Sequence, residues 1–303
     1  MTLLDVMPVA VAAVEARIAS SIVTVGRVRR GAGIVVADGR IVTNAHHVRD
    51  RTTQVTFADG RAAQAEVVAA DAEGDLAVLA VDTAGATPIE WSDATPTVGT
   101  VVFAAAPASH GLRVTFGGVS GVRAEFRGPR GRRIRGTIEH TAPLARGSSG
   151  GPLLDAAGAL VGINTHRLGD GFYLALPADA DLRRRVEELA AGRRPRRRRL
   201  GVAVVPSPVA RRLRRAVGLP ERDGLLVRGV EDGSPAAGAG LRDGDLIVTA
   251  AGAPVSGADD LWAVLDGLAP EGAVSVELGV VRGADELSVT VAFEDPPADD
   301  DAG

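Results

Sequence analysis

The sequence contains no cysteine and no lysine. The first absence excludes disulfides, thiolate nucleophiles and cysteine-ligated zinc, so the core must hold by burial alone. All 34 basic residues are therefore arginine, and against 38 acids they leave a net charge of −4, which gives no overall basic field to steer the molecule towards nucleic acid. Long apolar runs are missing as well. The run Val6 to Val14 is bounded by Asp5 and Glu15, and the first cation is Arg17. It falls short of the roughly 20 residues that span a bilayer and lacks the positive-then-apolar order of a secretory leader. These absences predict a chain without a transmembrane segment, placed in the cytoplasm. Residues 1–56 also lack Phe, Tyr and Trp.

What is present is a globular composition, 46% hydrophobic and 24% charged over 303 residues, a length that suits two domains. Charge divides unevenly: residues 1–199 hold 26 Arg against 20 acids, and residues 200–303 hold 8 Arg against 18 acids. From Ser20 to Leu176 short β-branched runs alternate with Gly, Asp and Pro, as in Gly33–Ala37, Arg40–Thr43 and Gln54–Phe57. Asp38-Gly39 and Asp59-Gly60 lie between such runs and suit tight turns. Many short strands with frequent turns predict an antiparallel barrel or sandwich. Residues 178–191 turn to helix-forming composition, and the arginine run 193–199 marks a linker, read as solvated with docking on the acidic second module as the alternative. Beyond it, strands at 224–230, 246–250, 274–281 and 287–293 mix with two short helices. One helix starts at Ser234-Pro235, and the other carries Leu261, Val264, Leu265 and Leu268 on one face. The division predicted is residues 1–192, a linker at 193–199, a second domain at 200–295 and an acidic disordered tail at 296–303.

Three segments carry chemistry together: Thr43-Asn44-Ala45-His46-His47-Val48, Asp71 to Val78 with Asp75, and Gly147-Ser148-Ser149-Gly150-Gly151. They supply His, Asp and Ser in that order. A serine hydroxyl is a weak nucleophile, so it needs an imidazole to take its proton and a buried carboxylate to hold that imidazole in the right tautomer. The glycines around Ser149 let the N–H groups of Gly147 and Ser149 point at a developing oxyanion. Taken singly, each segment reads as a structural His, a capping Asp or a flexible turn. Their joint occurrence at strand ends of a β-rich domain is what points to acyl transfer.

With Gly31 to Val36, Leu160 to Thr165 and Phe172 to Pro177 added in order, the chain resembles the HtrA (Deg) family of serine proteases along nearly its whole length. The resemblance implies a mainly β fold, a chymotrypsin-like double β-barrel followed by a small α/β PDZ domain. It makes His46 the general base, Asp75 its orienting carboxylate and Ser149 the nucleophile. His46 is preferred over His47 because it directly follows Thr-Asn-Ala, and His47 then stands where the family has an apolar residue. Leu144, Asn164, Thr165 and Arg167 fall on the substrate pocket. The family has small or aliphatic residues where His166-Arg167 stands. An Arg there turns to solvent or seeks a substrate acid, and the solvent-facing reading with a small-aliphatic preference is the one expected.

In the second domain the order Leu200 to Ala203, Gly233 to Ala237 and Ala239 to Ile247 is similar to the family's PDZ domains. The resemblance implies that Leu200, Gly201, Val202 and Ala203 receive a peptide C-terminus, with Leu261 and Leu265 lining its side-chain pocket or serving as ordinary core. It further implies an endopeptidase acting on unfolded or exposed polypeptides. The rival is a catalytically silent, chaperone-like peptide-binding scaffold. Cofactor, metal and nucleic acid are not expected, and His110, His140 and His166 read as ordinary histidines. A homotrimer held by Leu3, Leu4, Val6 and Met7 follows from the resemblance. The arginine-rich stretch 123–135 falls at a loop between barrel strands.

Overall fold

The structure is a computed structural model describing residues 3–27, 31–109, 111–127, 133–194, 198–268 and 272–294. The acidic tail, the tip of the 123–135 stretch and the middle of the arginine linker lie outside the described residues. The chain divides into two compact units, Met1–Pro195 and Arg196–Gly303, with the division inside the arginine run.

The first unit opens with helix α1 (Leu3–Ile18), which carries no helical signal in the sequence because its valines and Pro8 break the pattern. Six strands follow, β1 (Ile22–Val25), β2 (Gly31–Ala37), β3 (Arg40–Thr43), β4 (Thr52–Thr56), β5 (Ala62–Asp71) and β6 (Leu76–Ala80). They close into an antiparallel barrel in the order β1-β2-β3-β6-β5-β4. A second barrel is built from β7 (Val101–Ala108), β8 (Gly111–Arg127), β9 (Arg133–His140), β10 (Pro152–Leu154), β11 (Leu160–Gly169) and β12 (Phe172–Pro177). Its order is β10-β11-β12-β9-β8-β7. Closure removes the free strand edges that an open sheet of this composition would present. Helix α2 (Ala180–Ala190) is capped by Asp179, whose carboxylate accepts from the Leu182 N–H at 2.9 Å. One core cluster joins both barrels and both helices through Ile18, Ile34, Phe103, Leu154, Ile163 and Leu182. The barrels are thereby held as one body with the functional segments at their junction.

The second unit is a sheet ordered β13-β14-β15-β17-β18, from β13 (Val202–Val205), β14 (Leu225–Val230), β15 (Leu246–Ala250), β17 (Val274–Arg282) and β18 (Asp285–Phe293). The short β16 (Ala253–Pro254) pairs with β15. Three helices pack with it: α3 (Ser207–Ala216), α4 (Pro235–Gly238) and α5 (Ala258–Asp266). The sequence reading placed two. It missed α3, whose four arginines look like linker until Ala210 and Arg214 are seen buried. Ser234 caps α4 by accepting from the Ala237 N–H at 3.2 Å. Arg198 follows the docking alternative for this run, donating to the second unit's carbonyls of Glu294 (3.0 Å) and Gly272 (2.5 Å).

Candidate active site

Thr43 ends β3, and a single 3-10 turn (Ala45–His47) carries the two histidines in opposite directions. His46 is exposed while His47 is buried. The His46 Nδ1–H lies 2.9 Å and 3.0 Å from the two Asp75 carboxylate oxygens. With Nδ1 protonated against a carboxylate, Nε2 keeps its lone pair for a base role. Asp75 is 1% exposed. Its carboxylate also accepts from the His46 backbone N–H (3.1 Å) and from the Thr165 hydroxyl (2.6 Å). Asp75 sits at φ +52°, a costly conformation for a side chain other than glycine. Asn44 holds it there by donating Nδ2–H to the Asp75 carbonyl at 3.0 Å.

The loop before Asp75 is built by Asp71. Its carboxylate accepts from the N–H groups of Glu73 (3.2 Å) and Gly74 (2.9 Å) and from the Arg185 guanidinium on α2 (3.1 Å). Sequence reasoning missed Arg185, which lies more than a hundred residues away; nothing local marks it.

The Ser149 loop is tied to the first barrel by the Ala32 N–H donating to the Ser149 carbonyl at 2.8 Å. A Cβ on Gly150 would fall 2.1 Å from the Ala32 carbonyl oxygen, and its φ is +83°, so only glycine fits. Among the described residues the N–H groups of Gly147 and Ser149 make no hydrogen bond and stay available. The Ser149 hydroxyl donates to the Thr165 carbonyl at 3.0 Å. Thr165 thus joins Ser149 to Asp75 from one residue.

Two expected pocket residues have other duties. The Asn164 side chain is turned inward, accepting from His140 Nε2–H at 2.9 Å and donating to the Pro152 carbonyl at 2.9 Å. The Thr165 hydroxyl is committed to Asp75. Leu144 is half-buried and packs on the second barrel's core, Arg167 is exposed, and the Arg167 guanidinium donates to the Leu144 carbonyl.

His47 packs against Gly31, where any Cβ would lie 2.0 Å from its ring. Thr43 donates to the Ala32 carbonyl at 2.7 Å and so must accept from His47 Nδ1–H at 3.1 Å. Burial, helped by neighbouring His46, pushes the His47 pKa down to about 4. His140, also read as ordinary, is fully buried and is likewise pushed down to about 4 by burial. Among the described residues no group of three or more His, Asp or Glu is arranged to hold a metal.

In the second unit β13 has a single neighbour, so one edge of Val202–Val205 is unpaired. Leu200, Leu261 and Leu265 are buried together in that unit's core cluster.

Twin six-stranded barrels, with an Asp-His pair and a glycine-flanked serine at their junction, define the trypsin-like peptidase class. Residues 31–163 match the family described as "Trypsin-like peptidase domain", and residues 199–293 match "PDZ domain". The chain belongs to the HtrA (Deg) family of serine proteases. It is 33% identical over 282 residues to "Protease Do-like 1, chloroplastic" of Arabidopsis thaliana, covering 86% of this chain and 62% of that one. It is 31% identical to "Probable periplasmic serine endoprotease DegP-like" of Halomonas elongata, covering 88% and 56%, and 31% identical to HhoA of Synechocystis sp., covering 86% and 70%. It therefore spans less than two thirds of the first two relatives. The solved structure "HtrA-type protease AlgW with decapeptide" superposes with a TM-score of 0.71 at 25% identity, covering 95% of this chain and 99% of that one.

The cytoplasmic placement is corrected by the Arabidopsis and Halomonas relatives, which are named as chloroplastic and periplasmic proteins. That placement rested on how the chain begins, which does not carry the conclusion. No described helix is long and apolar enough to cross a membrane.

Proposed function

We propose that the chain is a serine endopeptidase that cleaves unfolded or exposed polypeptides, with residues 1–192 as the protease domain and residues 200–295 as a PDZ domain holding peptide C-termini. The observation that supports this reading is the buried Asp75 carboxylate fixing the His46 tautomer and joined through Thr165 to a serine whose loop keeps two N–H donors free. Ser149 leaves the Thr165 carbonyl, gives its proton to His46 Nε2 and attacks the substrate carbonyl. The oxyanion forms between the N–H groups of Gly147 and Ser149. Collapse expels the amine, which takes the proton from His46, and the acyl-enzyme is then hydrolysed by a water that His46 deprotonates. In the PDZ unit, the open edge of β13 is the place for an added peptide strand, with Leu200 to Ala203 at its carboxylate and Leu261 and Leu265 beneath its side chains.

Cleavage of a denatured protein by the full chain tests the reading: Ser149→Ala lowers turnover by up to about a million-fold. Full activity in that variant overturns it. We also propose a homotrimer through the N-terminal segment. Val6 and Val9 on α1 are exposed at 38% and 68%, whereas Met7 packs on its own unit's core and is not available. Light scattering at micromolar concentration checks it, and a monomer contradicts it.

A further inference from the structure

Two arms converge at Ser149. One is residues 144–148 on its own loop, and the other is the end of β11, where the Thr165 carbonyl meets the Ser149 hydroxyl. Arg167 lies two residues beyond Thr165 and crosses between the arms by its bond to the Leu144 carbonyl. Directly opposite Arg167 on β12 is Tyr173, and the guanidinium carbon stands 5.1 Å from its ring centre. Tyr173 is 8% exposed, yet its hydroxyl is not sealed off and has no hydrogen-bond partner among the described residues. Its ring stacks on the fully buried His140 at 5.7 Å, and His140 is itself anchored by Asn164. The Tyr173 ring is therefore fixed from behind, and Arg167 links Leu144 on one arm to Tyr173 on the strand beside the other, setting two polar donors next to one apolar residue.

Among the described residues Arg167 has no carboxylate within ion-pairing distance, and one carbonyl uses a single one of its five N–H donors. Arg146, exposed on the same loop, adds a second positive charge to this rim. An aliphatic side chain set against these groups would strip water from the guanidinium and give nothing back, and a basic one would also be repelled. A carboxylate pairs with the planar fork and accepts from the phenol at once.

We propose that Arg167 and Tyr173 make the primary specificity pocket select an acidic residue, Glu or Asp, on the acyl side of the scissile bond. This replaces the small-aliphatic preference expected from the family pattern, and it rests on the serine endopeptidase reading above. Arg167 and Tyr173 act on substrate choice, while His46 and Ser149 carry the chemistry.

The test uses the full chain and four matched internally quenched peptides differing only in Glu, Gln, Val or Lys at the cleavage position. Wild type should show kcat/KM at least tenfold higher for Glu than for Gln or Val, with Lys lowest. Arg167→Ala should bring the Glu-to-Val ratio to about one, and Arg167→Glu should raise Lys above Glu. Tyr173→Phe should lower the ratio several-fold. Because each readout is a ratio within one enzyme, partial loss of folded protein does not alter it. A wild type that labels Ser149 with a fluorophosphonate but cleaves Val as well as Glu overturns the pocket proposal and leaves the protease reading standing. So does a Glu preference that survives Arg167→Ala. A wild type that neither labels nor cleaves any of the four overturns both.

Discussion

The Asp75 carboxylate has three donor groups around it, and two of its bonds go to the imidazole it orients. Asp75→Asn keeps the shape but presents an amide N–H to His46 Nδ1, which drives the ring to the wrong tautomer. The expected result is a fall in kcat of about ten-thousand-fold with the circular dichroism spectrum unchanged. The two buried histidines predict a separate effect on stability. In the unfolded chain each titrates near 6.5, but in the folded chain each is held down to about 4. Between those values the unfolded state binds the protons that the folded state refuses, so stability is full above about pH 6.5 and is lost as pH falls towards 4. The loss is at most about 3 kcal/mol per histidine. Urea midpoints measured from pH 7.5 to 4.5 should fall steadily, and in His140→Gln the fall should be shallower. A flat profile contradicts the burial argument. His47 was legible in the sequence only as a residue out of pattern. What keeps it neutral is burial, to which Gly31 contributes by leaving room for the ring against β2, and the neighbouring His46.

At the scale of elements, strands with β-branched runs and Asp-Gly turns could be read directly: β3 and β15 match their predicted limits, because a pleated, half-buried surface imposes its own residue types. Helices α1 and α3 could not. One mixes valines with Pro8, and the other buries an arginine, so in both tertiary packing overrides the local pattern. The candidate His, Asp and Ser and their order could be read as well, and the fold brings His46 to Asp75. The roles of Thr165 and Arg185 could not, since each acts across a junction that no spacing encodes. Arg185 is the more testable. It anchors the Asp71 turn from α2, and a Cβ on Gly74 would fall 2.1 Å from its guanidinium. Arg185→Ala removes the guanidinium donor from the nearly buried Asp71 carboxylate and should destabilise the first unit by about 1–3 kcal/mol. Because the turn also sets Asp75, kcat should fall several-fold with KM little changed. An unchanged kcat would confine Arg185 to stability. Gly150→Ala is the harsher case, because the methyl meets backbone rather than a flexible side chain, and no soluble, labelled enzyme is expected.

Over the whole molecule, the division inside the arginine run separates two units, each with its own core cluster among the described residues. Cutting the chain after residue 195 should therefore leave a first unit that unfolds in one cooperative step and still carries the assembled Asp-His pair, while C-terminal peptide binding goes with the second unit. Calorimetry of the fragment checks the first point and fluorescence anisotropy with a labelled peptide the second. A fragment that does not fold would reject the boundary. The unequal charge of the two halves was visible from composition, and so were the need for two modules and the option of the arginine run docking on the acidic one; that Arg198 is held by backbone carbonyls was not. The central claim is that Ser149 is a nucleophile activated by His46. Its most direct measurement is mass spectrometry of the full chain after reaction with a fluorophosphonate. The account predicts a single adduct on the peptide containing Ser149, absent in Ser149→Ala and slowed by orders of magnitude in His46→Ala. An unreacted wild type, or an adduct on Ser148, would contradict it.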